Sequence, residues 1–295
     1  MPFGPTGRYL VQGPAGPAIM SEPMPIKTIL LHMANDDQRT SRLEAAVSLA
    51  KRFDAYVEAL YIATPIAMPA AVTGRAASYG YIAEATAIAR EKAAEIEHEI
   101  RQALKDVSYS WTVDEGDHVE LLAGRAAYAD LAIVTQSRPA HLEDRVLLHV
   151  PDRLPLEAAC PTLVLPHDGM SESFGRHVVL AWKNTREAVR AVRESLTFLQ
   201  AAEKVTVLTI DPPGHQGDSA RDIMVYLERH GVRSQHQANI ANGDVGEVIL
   251  TCVRDVGADM LVMGAYGHSR FREMVLGGAT RTVLQHMHVP VLMAH

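Results

Sequence analysis

The chain has 295 residues, of which 47% are hydrophobic and 21% charged, a balance that argues against a disordered or fibrous protein and gives room for two domains with separate cores. Its 35 acidic residues against 28 basic ones leave a formal net charge of −7 spread along the chain, so no broad basic face is offered to nucleic acid or anionic lipid. Cys160 and Cys252 stand alone in the sequence, which excludes a CxxC redox pair and a cysteine zinc framework and fits a reducing, cytoplasmic setting.

Residues 1–25 lack an uninterrupted apolar core behind a basic start, so they read as neither a signal peptide nor a membrane anchor. With Met20 and Met24 just ahead of the first strand pattern, they read as a flexible arm or an over-extended gene start. A β-type run follows at Ile26 to Met33, then a helical run at Ser41 to Phe53 and a strand at Ala55 to Ile62. The stretch Thr64 to Tyr81 holds prolines and glycines that argue against a regular element, and reads as a structural loop or else a lid or interdomain clasp. A long helix is predicted near Ala83 to Leu104, where Ala85, Ala89, Ala93, Ile96, Ile100 and Leu104 make one buried stripe. Then come a strand near Tyr109 to Val113, a helix near Val119 to Tyr128, the strand DLAIVT, a further helix and a short terminal strand near Cys160 to Leu165.

Turn formers at Pro166 to Gly175 mark a joint, which divides the chain into domains at 26–168 and 175–295. The second half repeats the plan: a strand at His177 to Trp182, a helix at Thr185 to Leu199, and a strand at Lys204 to Ile210. A helix near Ser219 to Arg229, a strand near Arg233 to Ala238, a helix at Val245 to Val256 and the strand DMLVMG come next. A last helix leads to a terminal strand near Val289 to Met293. The segment from Ala129 lies on the segment from Ala258 at an offset of 129 residues, and ACPTLVL lies on HVPVLMA at the same offset, so the two halves are an internal repeat of domain size. Helices between short, nearly continuous apolar strands imply, in each half, a doubly wound α/β domain with a parallel sheet covered on both faces.

The chemistry concentrates in GAYGHSRFREMVLGGAT, Gly264 to Thr280. Gly264 and Gly267 stand where a strand ends, the side of a parallel sheet on which ligands bind. Amides of this turn and of the next helix start suit phosphate oxygens, with Gly277 and Gly278 allowing close approach and Thr280 offering a hydroxyl. The bland alternative is that these glycines serve only the turn and close helix–sheet packing. No P-loop, serine elbow, HExxH cluster or carboxylate pair is present, so no enzymatic chemistry is written in the sequence.

Gly264-x-x-Gly267, nine residues and then Gly277, at the end of a βα unit and before VPVLMAH, resembles the nucleotide-binding signature of the universal stress protein family. From about Ile26 onward the chain looks like the tandem form of that family. The resemblance implies five parallel strands per domain in the order 3-2-1-4-5, and pairing of the two domains within one chain through their terminal strands. It also implies a site for ATP or another adenine nucleotide, with Mg²⁺ a possible companion of the phosphates, built from Ala181, Trp182, Lys183, Gly264, Gly267, His268, Ser269, Gly277, Gly278, Ala279 and Thr280.

The sequence departs from that pattern at several points. Gly278 stands where a Ser or Thr follows the glycine in ATP-binding relatives, and Lys183 lies in the segment that commonly carries an Asp. Trp182 is placed either to stack on a base or to pack on the first helix, and Asp244 either to cap a helix or to bond a sugar. Opposite Gly264, Gly267, Gly277 and Gly278 the first half has Thr135, Arg138, Leu148 and His149, whose side chains block close approach of phosphate, and Asp36 and Asp37 do not restore the loop. His141, His149, His268, His286 and His288 form no metal-ligand spacing, while Cys160 and Cys252 read as core residues. The expectation is a nucleotide-dependent sensor or regulatory module with one site, in the second domain. The alternatives are a nucleotide-independent, stress-related interaction protein and, at most, a slow ATP hydrolase; an unknown protein partner and a homodimer are the expected associations beyond the pairing of the two domains.

Overall fold

The computed structural model describes residues 26–34, 36–63, 75–137, 150–167, 173–211, 220–240, 243–267 and 278–295. In the first half these form β1 (Thr28–Met33), α1 (Arg39–Phe53), β2 (Tyr56–Ile62), α2 (Arg75–Ala103), β3 (Tyr109–Asp114), α3 (His118–Ala126), β4 (Leu131–Thr135), α4 (Val150–Glu157) and β5 (Thr162–Leu165). The second half supplies β6 (His177–Trp182), α5 (Arg186–Glu194), α6 (Leu196–Ala201), β7 (Lys204–Asp211), α7 (Arg221–Arg229), β8 (Ser234–Ile240), α8 (Val245–Asp255), β9 (Met260–Gly264), α9 (Gly278–His286) and β10 (Val291–Ala294). Among the described residues no helix is long and apolar enough to cross a membrane.

One ten-stranded sheet runs β3-β2-β1-β4-β5-β10-β9-β6-β7-β8. Each half is parallel throughout, in the order 3-2-1-4-5, and the halves meet where β5 and β10 pair antiparallel, with Leu292 opposite Leu163. Each of those strands would otherwise end its half as an open edge, so their pairing removes two edges at once.

Successive side chains of a strand point to opposite faces, and both faces of the central strands are covered. Ile29, Leu31 and Met33 face the layer of α1, α2, α5, α6 and α7, whereas Leu30, with Ala132 and Val134 of β4, faces α3, α4, α8 and α9. Each layer's core runs through both halves, since Leu163 joins Leu292 on one face and Val164 joins Val291 on the other. Part of the repeat is structural: Asp130 accepts from the amides of Lys27 and Thr28, and its counterpart Asp259 from those of Gly175, Arg176 and His177, so each aspartate pins the entry of its domain's first strand.

Two predicted elements need correction. The helix α2 begins at Arg75, inside the stretch read as a loop, because one interior glycine, Gly80, costs a helix only about 1 kcal/mol and does not end it; residues 64–74 lie outside the described residues. Of its stripe, Ala93, Ile96, Ile100 and Leu104 are buried, while Ala85 and Ala89 lie outside the described side chains. The helix predicted at Thr185 to Leu199 is two helices, broken at Ser195, whose hydroxyl turns back to the carbonyl of Val192 at 3.1 Å and competes with the helical ladder.

Candidate functional site

In the second half the strand order reverses beside β6, which pairs with β7 on one side and β9 on the other. Adjacent crossovers there leave the sheet toward opposite faces, and a crevice opens at the carboxyl ends of the strands. A cavity of about 390 Å³ occupies that point. Its floor is apolar, made by Ala181 and Trp182 at the end of β6, Leu208 and Ile210 of β7, Met263 of β9, and Val245 and Ile249 of α8. The rest of the lining is backbone-rich: Gly264 at the end of β9, Tyr266 and Gly267 after it, and Gly278, Ala279 and Thr280 in the first turn of α9. Lys183, Glu187 and Asp244 are the charged side chains among the described lining residues.

The structure therefore brings Ala181, Trp182, Lys183, Gly264, Gly267, Gly278, Ala279 and Thr280 together around one space. His268, Ser269 and Gly277 lie outside the described residues, as do Arg138, Leu148, His141 and His149. Trp182 both packs against the core and borders the cavity. Lys183 is exposed at the rim.

The glycines have different jobs. A β-carbon at Gly264 would stand 2.6 Å from the amide nitrogen of Ala188 and 2.7 Å from the carbonyl carbon of Glu187, so the bare backbone here is required by the contact of β9 with α5. At Gly267 an added β-carbon would meet only the Glu187 and Thr185 side chains, at 3.5 and 3.6 Å, on the cavity side. Gly246, not singled out by the motif, would clash with Thr282 and with the carbonyl of Ala279, and so brings the starts of α8 and α9 together.

Asp244 caps α8, accepting from the amides of Gly246 at 2.7 Å and Glu247 at 3.1 Å, while its other oxygen accepts from the Thr282 hydroxyl at 3.1 Å. Both oxygens are thus engaged in joining α8 to α9. Thr280 is buried and its hydroxyl oxygen accepts from the amide of Tyr266 at 3.2 Å, so it fastens the glycine turn to α9. Tyr266 itself adopts φ 55°, the left-handed region that costs a residue with a β-carbon about 1 kcal/mol. Its phenol is pushed to a higher pKa by burial first and then by Asp152, and its hydroxyl donates to the carbonyl of Asp152 at 2.8 Å.

The matching place in the first half is filled. By strand register His32 stands where the second half has Ala181, and Thr135 where it has Gly264. The buried Arg42 guanidinium bridges these positions, donating to the carbonyl of His32 at 2.8 Å, the hydroxyl of Thr135 at 2.9 Å and the carboxylate of Asp36 at 2.5 Å. Among the described residues, the pocket lined by His32, Asp36, Arg42 and Thr135 holds about 10 Å³, room for at most a single water. His32 Nε2 lies 2.9 Å from Nδ1 of His118, both rings buried. Burial first, then the charge of Arg42, holds His32 well below its ordinary pKa, and burial lowers His118 to about 4, so both are neutral near pH 7.

Among the described residues no cluster of His, Cys, Asp and Glu could hold a metal ion. Both cysteines are buried, and burial pushes the Cys160 thiol up to about 12, which suits a core residue and not a nucleophile.

Comparison with known proteins agrees with this plan. The profile of the universal stress protein family matches residues 25–166 and again residues 175–295. The chain belongs to the universal stress protein family. A universal stress protein from Synechocystis is 36% identical over 66 residues, which span 22% of this chain and 22% of that relative. The crystal structure of a universal stress protein from Archaeoglobus fulgidus superposes with TM-score 0.72 at 18% identity, covering 90% of this chain and 95% of that one. A putative universal stress protein from Pseudomonas aeruginosa gives TM-score 0.60 at 14% identity over 91% of this chain and 93% of that one. At such identities the two structures speak for the fold alone.

Proposed function

We propose that this universal stress protein binds an adenine nucleotide, ATP in the first place, in its second domain, and that occupancy of this one site is the signal it passes on as a cytoplasmic regulatory module. The observation that carries the reading is the asymmetry of the repeat: an open cavity of about 390 Å³ at the reversal point of one half, and a plug of Arg42, Asp36 and His32 at the same point of the other. The volume falls in the range of small-molecule sites, and the division into an apolar floor and a wall of glycine backbone suits a flat base joined to phosphates. Helix α9 presents its first amides at the phosphate end, where they have no partner within the helix and the helix dipole favours an anion. Glu187 and Asp244 add negative charge nearby, which makes Mg²⁺ a natural companion of a triphosphate.

Calorimetric titration with ATP, with and without Mg²⁺, tests this in the full chain and in Gly267→Val. The substitution sets its β-carbon beside the Thr185 and Glu187 side chains, at 3.6 and 3.5 Å, on the cavity side. Saturable binding by the wild type, lost in the variant, is expected. Absence of binding by the wild type overturns the reading.

A second reading, a stress-related interaction protein that needs no nucleotide, is favoured by one observation. Gly264 is required by the contact of β9 with α5 whether or not a ligand is present, so its place in the motif is no evidence of binding.

A further inference from the structure

Two elements that border the second-domain cavity, the turn after β9 and the helix α9, are hydrogen-bonded from the first domain. The Tyr266 hydroxyl donates to the carbonyl of Asp152 in α4 at 2.8 Å, while its amide donates to Thr280 in the first turn of α9 at 3.2 Å. One left-handed residue thus connects the first domain, the glycine turn and the start of α9. On the other side of the antiparallel seam, the Gln136 side-chain amide donates to the carbonyls of Leu284 at 2.8 Å and Gln285 at 3.0 Å, near the C-terminal end of α9. Gln136 is itself fixed in the first domain, because its side-chain oxygen accepts from the His167 amide at 3.1 Å and its own amide donates to Leu165 at 2.9 Å.

The two contacts are related by the repeat, since each domain's fourth strand ends in a turn that reaches the other domain's last helix, yet their chemistry differs. Gln136 aligns with Ala265, and Tyr266 with Ser137. The first domain grips by an amide, the second by a phenol. A helix of nine residues behaves as a rigid rod of about 13 Å, so a hold on its last carbonyls also sets where its first amides stand.

Resting on the nucleotide reading above, we infer that Tyr266 and Gln136 are positioning residues through which the filled first domain sets the spacing between the Gly264–Gly267 turn and the start of α9, and with it the phosphate-dependent part of the affinity. The apolar floor, supplied by β6, β7, β9 and α8, comes from within the second domain, and the hydrogen bonds of Tyr266 and Gln136 described above go elsewhere.

The test uses the full chain with Tyr266→Phe, which removes only the hydroxyl, and Gln136→Leu, which keeps bulk and removes the donors to α9 together with the acceptor of the His167 amide. ATP with Mg²⁺ and adenosine are titrated against each, and amide hydrogen exchange is followed in the ligand-free proteins. Tyr266→Phe is expected to bind ATP about three- to tenfold more weakly, the effect of one lost hydrogen bond, and Gln136→Leu, which loses more than one, at least as weakly, while adenosine changes by less than about twofold in both. Exchange is expected to quicken at Tyr266 and Gly267 in the first variant and through α9 in the second, with α8 unchanged. Equal losses for ATP and adenosine mean general loosening and overturn the inference, as does an unchanged affinity for ATP. If the wild type binds neither probe, the nucleotide reading falls and exchange alone decides: faster exchange confined to the turn and α9 upholds the positioning role, and unchanged exchange overturns it.

Discussion

Replacing Gly264 by alanine separates folding from binding in the glycine motif. The new β-carbon would lie 2.6 Å from the amide nitrogen of Ala188, 2.7 Å from the carbonyl carbon of Glu187 and 3.0 Å from the Cα of Ala188. All three are backbone atoms of the first turn of α5 or its neighbour, so no side chain can swing aside and either α5 or β9 must shift. Overpacking of this kind costs about 1–3 kcal/mol. For a domain of this size each kcal/mol lowers the melting temperature by about 4 °C, so a fall of about 4–12 °C is expected. Gly267→Ala is the matched control, because its β-carbon would touch only the ends of the Glu187 and Thr185 side chains at ordinary contact distances and its φ is not in the left-handed region. Its stability should stay within about 0.5 kcal/mol of the wild type. Thermal unfolding of nucleotide-free protein, followed by circular dichroism, reads both. Equal melting of Gly264→Ala and wild type, or a larger loss at Gly267, would refute the assignment of Gly264 to helix–sheet packing.

Arg42→Ala leaves the buried Asp36 carboxylate unpaired and should destabilise the first domain by about 3–5 kcal/mol, whereas Arg42→Met combined with Asp36→Asn should lose clearly less than the sum of the single changes in urea unfolding. His118 is held at about 4 when folded and returns to an ordinary value near 6.5 when unfolded, so the unfolded chain binds the extra proton first on acidification. Its contribution is therefore complete above about pH 7 and lost as pH falls toward 4, on the order of 2 kcal/mol at pH 5, and the urea midpoint of His118→Gln should depend less on pH over that window. Residues 175–295 expressed alone leave β10 without its antiparallel partner β5, and light scattering should find the fragment self-associated through that edge; a stable monomer would contradict the role given to the seam.

The α/β alternation and the repeat were legible because each rests on a local signal: short apolar strands, helix-length spacers and a constant offset; the meeting of the two halves at their last strands was implied by the family resemblance alone. The start of α2 was not, since Gly80 carries the same letter inside a helix as in a loop. Nor was the break at Ser195, which depends on where one hydroxyl turns. Of the residues that line the cavity, Gly264, Gly267, Gly278 and Thr280 were singled out in the glycine-rich segment, and Ala279 came with the family resemblance. Its floor from β7 and α8 was missed, because Leu208, Ile210, Val245 and Ile249 look in sequence like any core residues, and only the strand order places them under the crevice. The plug in the first half was half visible. Thr135 in place of glycine signalled a blocked turn, but that Arg42 reaches from α1 to bond it depends on a contact across 93 positions of sequence.

A nucleotide site confined to the second domain fixes how much ligand each chain can carry. The most direct test is the small-molecule content of the full chain purified without added nucleotide, measured by mass spectrometry after denaturation beside Gly267→Val. One adenine nucleotide per chain, absent from a variant that melts with the wild type, is the predicted result. An empty wild-type chain that also shows no calorimetric binding at millimolar ATP with Mg²⁺ would contradict the claim, and a content of two nucleotides per chain would contradict the closure of the first domain by Arg42.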